Sequence, residues 1–316
     1  MRLDIDNYFE HYISSNEFMR PTYKISPFIT SDLATNHALL SVDSKPINNI
    51  LLNDGESKYT ANFFNSGRKC LKAILETLKL GQLDVVTILT TSGSLYVSGC
   101  VTQTIDRYCR WNREITKETS VILVIHEFGK HFTEVKGLLK HNLPIIEDYA
   151  HSFPAVFKQD EFFGDFLLFS LSKFLPLQSG GLLFSNKKYV INDEKAYLSE
   201  VAKSTFFYYS DKFEQFFEKR KSIEKAYINE LSKLGFSAFF QYEKFECPGA
   251  FVFQCDLTLD VLQAMKDFLQ AHSIECSVFY GNKAFFLPSH HRMTQFDVGY
   301  IVYLIRSFLE KNFENK

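Results

Sequence analysis

The 316-residue sequence lacks most of the short motifs that announce a chemistry. It contains no G-x-G-x-x-G, no G-x-x-x-x-G-K-[ST] and no G-x-S-x-G, so dinucleotide, P-loop and hydrolase readings lose their usual support. The six cysteines (Cys70, Cys100, Cys109, Cys247, Cys255, Cys276) include no C-x-x-C pair. Several lie in apolar runs such as Phe251-Val252-Phe253-Gln254-Cys255, so they read as buried reduced thiols. A charge excess is missing too. Formal net charge is −2 and the basic residues are spread along the chain, which leaves no electrostatic footprint for nucleic acid. No apolar run is long enough to span a bilayer. The start, Met1-Arg2-Leu3-Asp4-Ile5-Asp6-Asn7, carries charges where a signal peptide carries its apolar core. The expectation is a cytoplasmic protein with neither a membrane nor a nucleic-acid partner.

What is present is ordinary in bulk: 46% hydrophobic and 23% charged residues, enough chain for one large or two moderate domains. The 33 Phe and 16 Tyr read mainly as packing. Residues 1–55 are mixed, with turn signals at Asp43-Ser44-Lys45-Pro46 and Asn53-Asp54-Gly55. From Asn65 the pattern clears: Cys70 to Leu78 is apolar at helical spacing. Short apolar runs then alternate with helix-like or polar segments, at Val85–Leu89, Val121–Ile125, Pro144–Ile146, Phe166–Phe169 and Gly181–Phe184. Such runs read as strands buried on both faces, hence an α/β domain over 56–210 with a largely parallel sheet between helices. Beyond it, Phe213 to Leu234 suits a linking amphipathic helix. Strands at Ala250–Cys255 and Lys283–Leu287, with helices at Leu259–Ala271 and Phe296–Leu309, make 211–316 a smaller α+β domain.

The chemistry concentrates at strand ends. Asp148 follows Ile145-Ile146, and Lys173 follows the apolar run Phe166 to Leu171. In an α/β sheet the residues at adjacent strand ends point into one crevice. A carboxylate and a lysine meeting there suit pyridoxal 5′-phosphate (PLP): the carboxylate keeps the pyridine nitrogen protonated and the lysine forms a Schiff base. Taken alone, Asp148 equally suits a cap on the next helix, and Lys173 a solvated strand-end lysine. Ser66-Gly67-Arg68 opens a helix whose free N–H groups and dipole suit a phosphate, though Ser66 also reads as a plain N-cap. Ser170, three positions before Lys173, is a second phosphate candidate, and Gly180-Gly181 permits a tight return into the next strand. His151 is placed for the cofactor's 3′ oxygen or for packing. Tyr96 is placed for stacking on the pyridine ring or for the core. His126 ends a strand, as a pocket residue or a cap. His126-Glu127 and His290-His291 lack further ligands at usable spacing, so a metal site is rejected.

In order, Ser66-Gly67, His126-x-Phe128-Gly129, Ile146-Glu147-Asp148-Tyr149-Ala150-His151, Phe169-Ser170…Lys173 and Gly180-Gly181 resemble the DegT/DnrJ/StrS family of PLP-dependent sugar aminotransferases. The resemblance covers residues 60–190 well and the C-terminal part in outline, where Leu287-Pro288 resembles the family's Leu-Pro. It implies the fold-type-I PLP-transferase architecture and a homodimer. It also implies an amino transfer from a small-molecule donor, glutamate, to a keto-sugar acceptor, nucleotide-linked, within sugar biosynthesis for cell-surface polysaccharide. Lys173 falls at the Schiff-base position, Asp148 at the pyridine partner, His151 at the 3′ oxygen, and Gly67 with Arg68 at the phosphate. Three departures stand out. His151 replaces the usual Gln, Thr90 to Ser98 replaces the usual Pro-x-x-Thr-Phe segment, and the chain is shorter than typical members. Two rival readings remain at this point: other PLP chemistry, such as a dehydratase or lyase, and a degenerate member that binds or scaffolds without catalysis.

Overall fold

The computed structural model describes residues 22–41, 58–152, 162–191 and 196–313. The turn signals at Asp43–Pro46 and Asn53–Gly55 lie outside these residues.

A seven-stranded sheet forms the frame. Its strands are β1 (Tyr59–Phe64), β2 (Val85–Thr90), β3 (Arg110–Asn112), β4 (Thr119–Ile125), β5 (Ile145–Asp148), β6 (Phe166–Ser170) and β7 (Gly181–Asn186). They lie in the order β1-β7-β6-β5-β4-β2-β3. The pairs from β6 through β5, β4 and β2 to β3 are parallel, whereas β7 runs antiparallel to both β6 and β1. A single reversed strand, Gly181–Asn186, in an otherwise parallel sheet agrees with the largely parallel expectation. The return from Ser170 to Gly181 is a short connection, and short connections join antiparallel neighbours.

Both faces are covered, which explains the near-continuous apolar runs. Along β6, Phe166 and Leu168 pack with α2 (Gly67–Thr77), where Leu71, Ile74 and Leu75 supply the buried stripe. Leu167 and Phe169 point the other way, onto α5 (Tyr197–Tyr209), through Ala202 and Phe206. Three further helices precede α5 or flank the sheet: α1 (Asp32–Ala38), α3 (Gly99–Ile105) and the single turn α4 (Val135–Leu138).

β1 and α5 are among the elements not legible from the sequence. β1 carries a buried Asn62, whose Nδ2 donates to the Ile191 carbonyl at 3.0 Å, so its apolar pattern is broken. α5 is rich in Ser, Thr and aromatics, poor helix formers individually, and its packing against β1 decides the outcome.

The long helix α6 (Phe213–Ser232) leads to a second, four-stranded sheet in the order β10-β11-β9-β8: β8 (Ser237–Ala238), β9 (Phe251–Gln254), β10 (Ser277–Phe279) and β11 (Ala284–Leu287). Helices α7 (Leu259–Ala271) and α8 (Gln295–Phe313) complete it. The alternation is strict. Phe251, Phe253, Val278, Phe285 and Leu287 face α6, α7 and α8, while Val252, Phe279, Ala284 and Phe286 face the other side, toward the large sheet.

The residues before β1 bridge both parts. Tyr23 pairs with Ile274, Arg292 holds Asp32 with two bonds of 2.7 and 2.8 Å, and Asn36 donates to the Pro176 carbonyl at 2.6 Å.

Candidate active site

The carboxyl-terminal ends of β2, β4, β5 and β6 open on one cavity of about 510 Å³, within the size range of small-molecule sites. The cavity brings together every site residue named from the sequence: Ser66, Gly67, Arg68, Tyr96, His126, Asp148, His151, Ser170 and Lys173.

At one end stands the N-terminus of α2. Ser66 caps it, accepting from the Lys69 N–H at 3.3 Å, so the capping reading holds while the residue also lines the cavity. The Gly67 and Arg68 amides are the first of the helix and have no intrahelical acceptor. Packing brings β6 and β7 close beneath them. A Cβ on Gly67 would meet the Ser170 Cβ at 3.2 Å, and one on Gly181 would collide with the Ser66 carbonyl. Arg68 Nη2 donates to the Cys100 sulfur at 3.0 Å. Burial raises the Cys100 thiol, and Arg68 more than reverses this, so the thiol lies below its usual range.

At the centre, Asp148 is the last residue of β5, at the strand end as the sequence suggests, and is buried. Its Oδ1 accepts from the Ala150 N–H at 2.8 Å. Burial raises its carboxyl above the usual range, against the lowering effects of that N–H and of Lys173. Lys173 ends a single 3-10 turn after β6, and its Nζ contacts His151 Nε2. Burial pushes the Lys173 amine below the ordinary lysine range, with Asp148 pulling back. Burial, then Lys173, then Arg220 hold His151 well below the ordinary histidine range, so its imidazole is neutral at neutral pH.

His126 is set differently. Its Nδ1 accepts from the Phe132 N–H at 3.0 Å, which leaves Nε2 to carry the proton and donate to Glu147 at 3.2 Å. Its ring stacks on Tyr149, centroids 3.9 Å apart. The pocket and packing readings of His126 therefore both apply.

The opening segment after β2 is held by Arg113, which donates to the Thr90 hydroxyl at 2.9 Å and to the Ile88 and Ser94 carbonyls. Glu127 accepts the Ser92 N–H at 2.7 Å. This fixes Tyr96, which is 45% exposed at the mouth, 5.4 Å from Tyr280, rather than in the core.

Sequence reading missed the far wall. Phe279 and Phe286, from the second sheet, close the cavity opposite the strand ends. Phe128 joins them at 5.1 and 5.2 Å and lies 5.3 Å from the His151 ring. Phe128 has φ +52°, a left-handed backbone that costs on the order of 1 kcal/mol in a non-glycine residue. The Gly249 N–H and Tyr242 hydroxyl, each 2.9 Å from the Phe128 carbonyl, hold it there. The adjacent Gly129, φ +97°, has no room for a Cβ against the Cys247 carbonyl. The Phe128-Gly129 dipeptide was the one sequence signal for this junction.

A phosphate-ready helix end, a buried carboxylate and a depressed lysine amine in one strand-end crevice define the class: an α/β enzyme built around PLP. The comparisons agree. A family model described as "Putative PLP-dependent aminotransferase" matches residues 56–239, and the chain belongs to that family, with PLP as its cofactor. No curated protein matches the sequence. Among solved structures, the aminotransferase TlmJ from Streptoalloteichus hindustanus is 14% identical, with 92% of this chain and 99% of that one covered and a TM-score of 0.70. A DegT DnrJ EryC1 StrS aminotransferase from Brucella abortus is 14% identical, with 91% of each chain covered and a TM-score of 0.60. GDP-4-keto-6-deoxymannose-3-dehydratase, with a trapped PLP-glutamate geminal diamine, is 14% identical, with 90% and 100% covered and a TM-score of 0.63. At such identities the likeness is one of fold, and it is the fold the DegT/DnrJ/StrS resemblance implied. Among the described residues, no helix is long and apolar enough to cross a membrane.

Proposed function

We propose that this aminotransferase moves an amino group from glutamate to a keto sugar, nucleotide-linked, with Lys173 as the residue that carries the cofactor. The observation behind this reading is the shared cavity: the Lys173 amine, the Asp148 carboxylate and the α2 N-terminus all line it. The residues present fit PLP. The Gly67 and Arg68 amides, with the Ser66 and Ser170 hydroxyls, would hold the phosphate, and Asp148 would pair with the pyridine N–H. Tyr96 and His151, which line the same cavity, would serve the ring and its 3′ oxygen. PLP, when bound, supplies an electron sink for the bond to the donor's α-hydrogen.

The chain's own groups do the rest. Burial keeps a fraction of the Lys173 amine unprotonated, which makes it a nucleophile and afterwards a carrier of the donor's α-proton. Asp148 stays a carboxylate once a cation arrives beside it, because its neighbours already work against the burial effect. The aromatic wall of Phe128, Phe279 and Phe286 keeps water from this proton. The sugar acceptor and the glutamate donor draw support from the structural neighbours, one of which is a GDP-keto-deoxysugar enzyme trapped with PLP and glutamate. The working unit in this reading is a homodimer.

Borohydride reduction of the PLP-loaded protein, followed by peptide mapping, tests the core of the reading. The label is expected on the Lys173 peptide of the natural chain and nowhere in Lys173→Ala. A label on another lysine overturns the assignment. Glutamate is expected to convert the bound cofactor to its amine form with release of 2-oxoglutarate, and acceptors are then compared for regeneration of the original absorbance.

A further inference from the structure

Arg220, on α6, is wholly buried in the seam between the two sheets. Its Nη2 donates to the Lys173 carbonyl at 2.8 Å. Its Nη1 reaches the carbonyls of Ser289 at 2.5 Å, Pro248 at 3.1 Å and Gly249 at 3.4 Å. The Phe174 ring lies 4.3 Å from the guanidinium carbon. Among the described residues, all its hydrogen-bond acceptors are main-chain carbonyls and no carboxylate pairs with it. Burial lowers its pKa to about 10, which leaves it a cation at neutral pH.

A buried charge without a counter-ion costs several kcal/mol, and an apolar side chain of the same length fills the space without that cost. Two features of arginine justify the cation here. One is the planar fork, which satisfies carbonyls from several segments at once. The other is the charge itself, which stands close to the Lys173–His151 pair.

We propose that Arg220 is the positioning residue of this centre: it anchors the main chain of Lys173 to the second sheet and, by its charge, keeps the His151 imidazole unprotonated beside the Lys173 amine. This rests on Lys173 being the cofactor lysine. The anchoring follows from connectivity. The Lys173 carbonyl, the Pro248-Gly249 turn before β9 and Ser289 after β11 meet on one guanidinium, so the lysine-bearing turn is tied to the sheet that supplies Phe279 and Phe286. The electrostatic part follows from what faces His151. Lys173 comes from the end of β6 and Arg220 from α6, both cationic. The loop after β4 presents the apolar Phe128 ring, and the segment before β9 packs the Gly249 main chain against His151. Asp148, at the end of the strand that precedes His151, acts on Lys173. A proton on His151 would meet two cations, which together with burial accounts for its lowered pKa. A neutral His151 can accept a hydrogen bond from Lys173 or donate one to a bound oxygen without repelling either.

The test uses the whole chain, without PLP, labelled with nitrogen-15 histidine, with His151→Gln to assign the signal. In the natural protein His151 is expected to stay neutral well below the ordinary histidine range. In Arg220→Met its titration midpoint is expected to rise by about one to two pH units, whereas Arg220→Lys, which keeps the cation, leaves the midpoint low. Equal midpoints in the two variants overturn the electrostatic role. So does a His151 that is charged near neutral pH in the natural protein, a result that needs no variant to fold. For anchoring, titration with PLP followed by visible absorbance is expected to give a dissociation constant at least about tenfold weaker in both variants, because neither retains the fork. Unchanged affinity in both overturns that role. If borohydride instead labels another lysine, the cofactor assignment fails while the His151 midpoints, read without PLP, still judge Arg220.

Discussion

Glu147 is 1% exposed and gathers four donors: His126 Nε2 at 3.2 Å, the Tyr149 hydroxyl at 2.8 Å, and the Gly164 and Phe163 amides at 2.6 and 3.2 Å. Burial raises its carboxyl, but these donors, His126 foremost, bring it below the usual range. Its stabilising effect is therefore present above the unfolded value near 4.5 and is lost as pH falls through the lower folded value. Glu147→Gln turns one acceptor oxygen into a donor and removes the charge. Denaturant unfolding at neutral pH is expected to show a loss of about 3 kcal/mol, shrinking as pH drops below about 4. Asp148→Asn acts on its neighbour. Without the carboxylate that pulls it upward, the Lys173 amine becomes more acidic. Its labelling by an amine-reactive reagent, followed by mass spectrometry, is expected to begin about one pH unit lower than in the natural chain. Asp148 and Lys173 stood out in the sequence as a pair, because each closes an apolar strand whose end faces the same crevice, although either alone also suited a bland role. Arg220 and Glu147 did not, since their partners come from distant segments and are mostly main-chain groups, which no side-chain pattern records.

At the level of elements, the crossing of α2 over the start of β7 is the tightest fit in the large sheet. Gly181→Ala drives a methyl group into the Ser66 carbonyl, a main-chain atom that no rotamer change can move aside. Thermal denaturation is expected to show a loss of about 3 kcal/mol, together with weaker PLP binding, because the helix end would have to shift. Ser66→Ala removes only the cap, and about 1 kcal/mol is expected to go with it. The strands β2, β4, β5 and β6 could be read from their continuous apolar runs, and the helices α6 and α7 from periodicity. β1 packs on β7 and on α5, and α5 also on the residues before β1, so both depend on distant segments rather than on their own pattern. The aromatic wall shows the same limit. The alternation of Phe279, Ala284 and Phe286 marks one face of a hairpin, but nothing local says that the face looks across to Lys173.

Taken as a whole, the molecule buries several histidines in neutral form. Burial first, and neighbouring cations second, lower His290 to about 3 and His291 to about 2. Burial, then His126 and Lys130, lower His131 to about 3. His151 behaves likewise. As pH falls below the unfolded value of 6.5, the unfolded chain takes up protons that the folded chain refuses, so stability falls. Each such histidine contributes about 1.4 kcal/mol per pH unit, so the melting temperature is expected to drop markedly between about pH 7.5 and about pH 5.5. Replacing His290 by Asn and His291 by Gln is expected to flatten that drop, and an unchanged slope would refute the account. The sheet order has another consequence, which concerns synthesis. Among the described residues β1 has one neighbour in its sheet, β7, which lies about 120 residues further along the chain. At roughly 5–20 residues per second, the ribosome exposes Phe63 and Phe64 for about 6–25 seconds before that partner exists. The edge that later completes the sheet is thus a sticky nascent segment first, and a stretch on which a chaperone would act early.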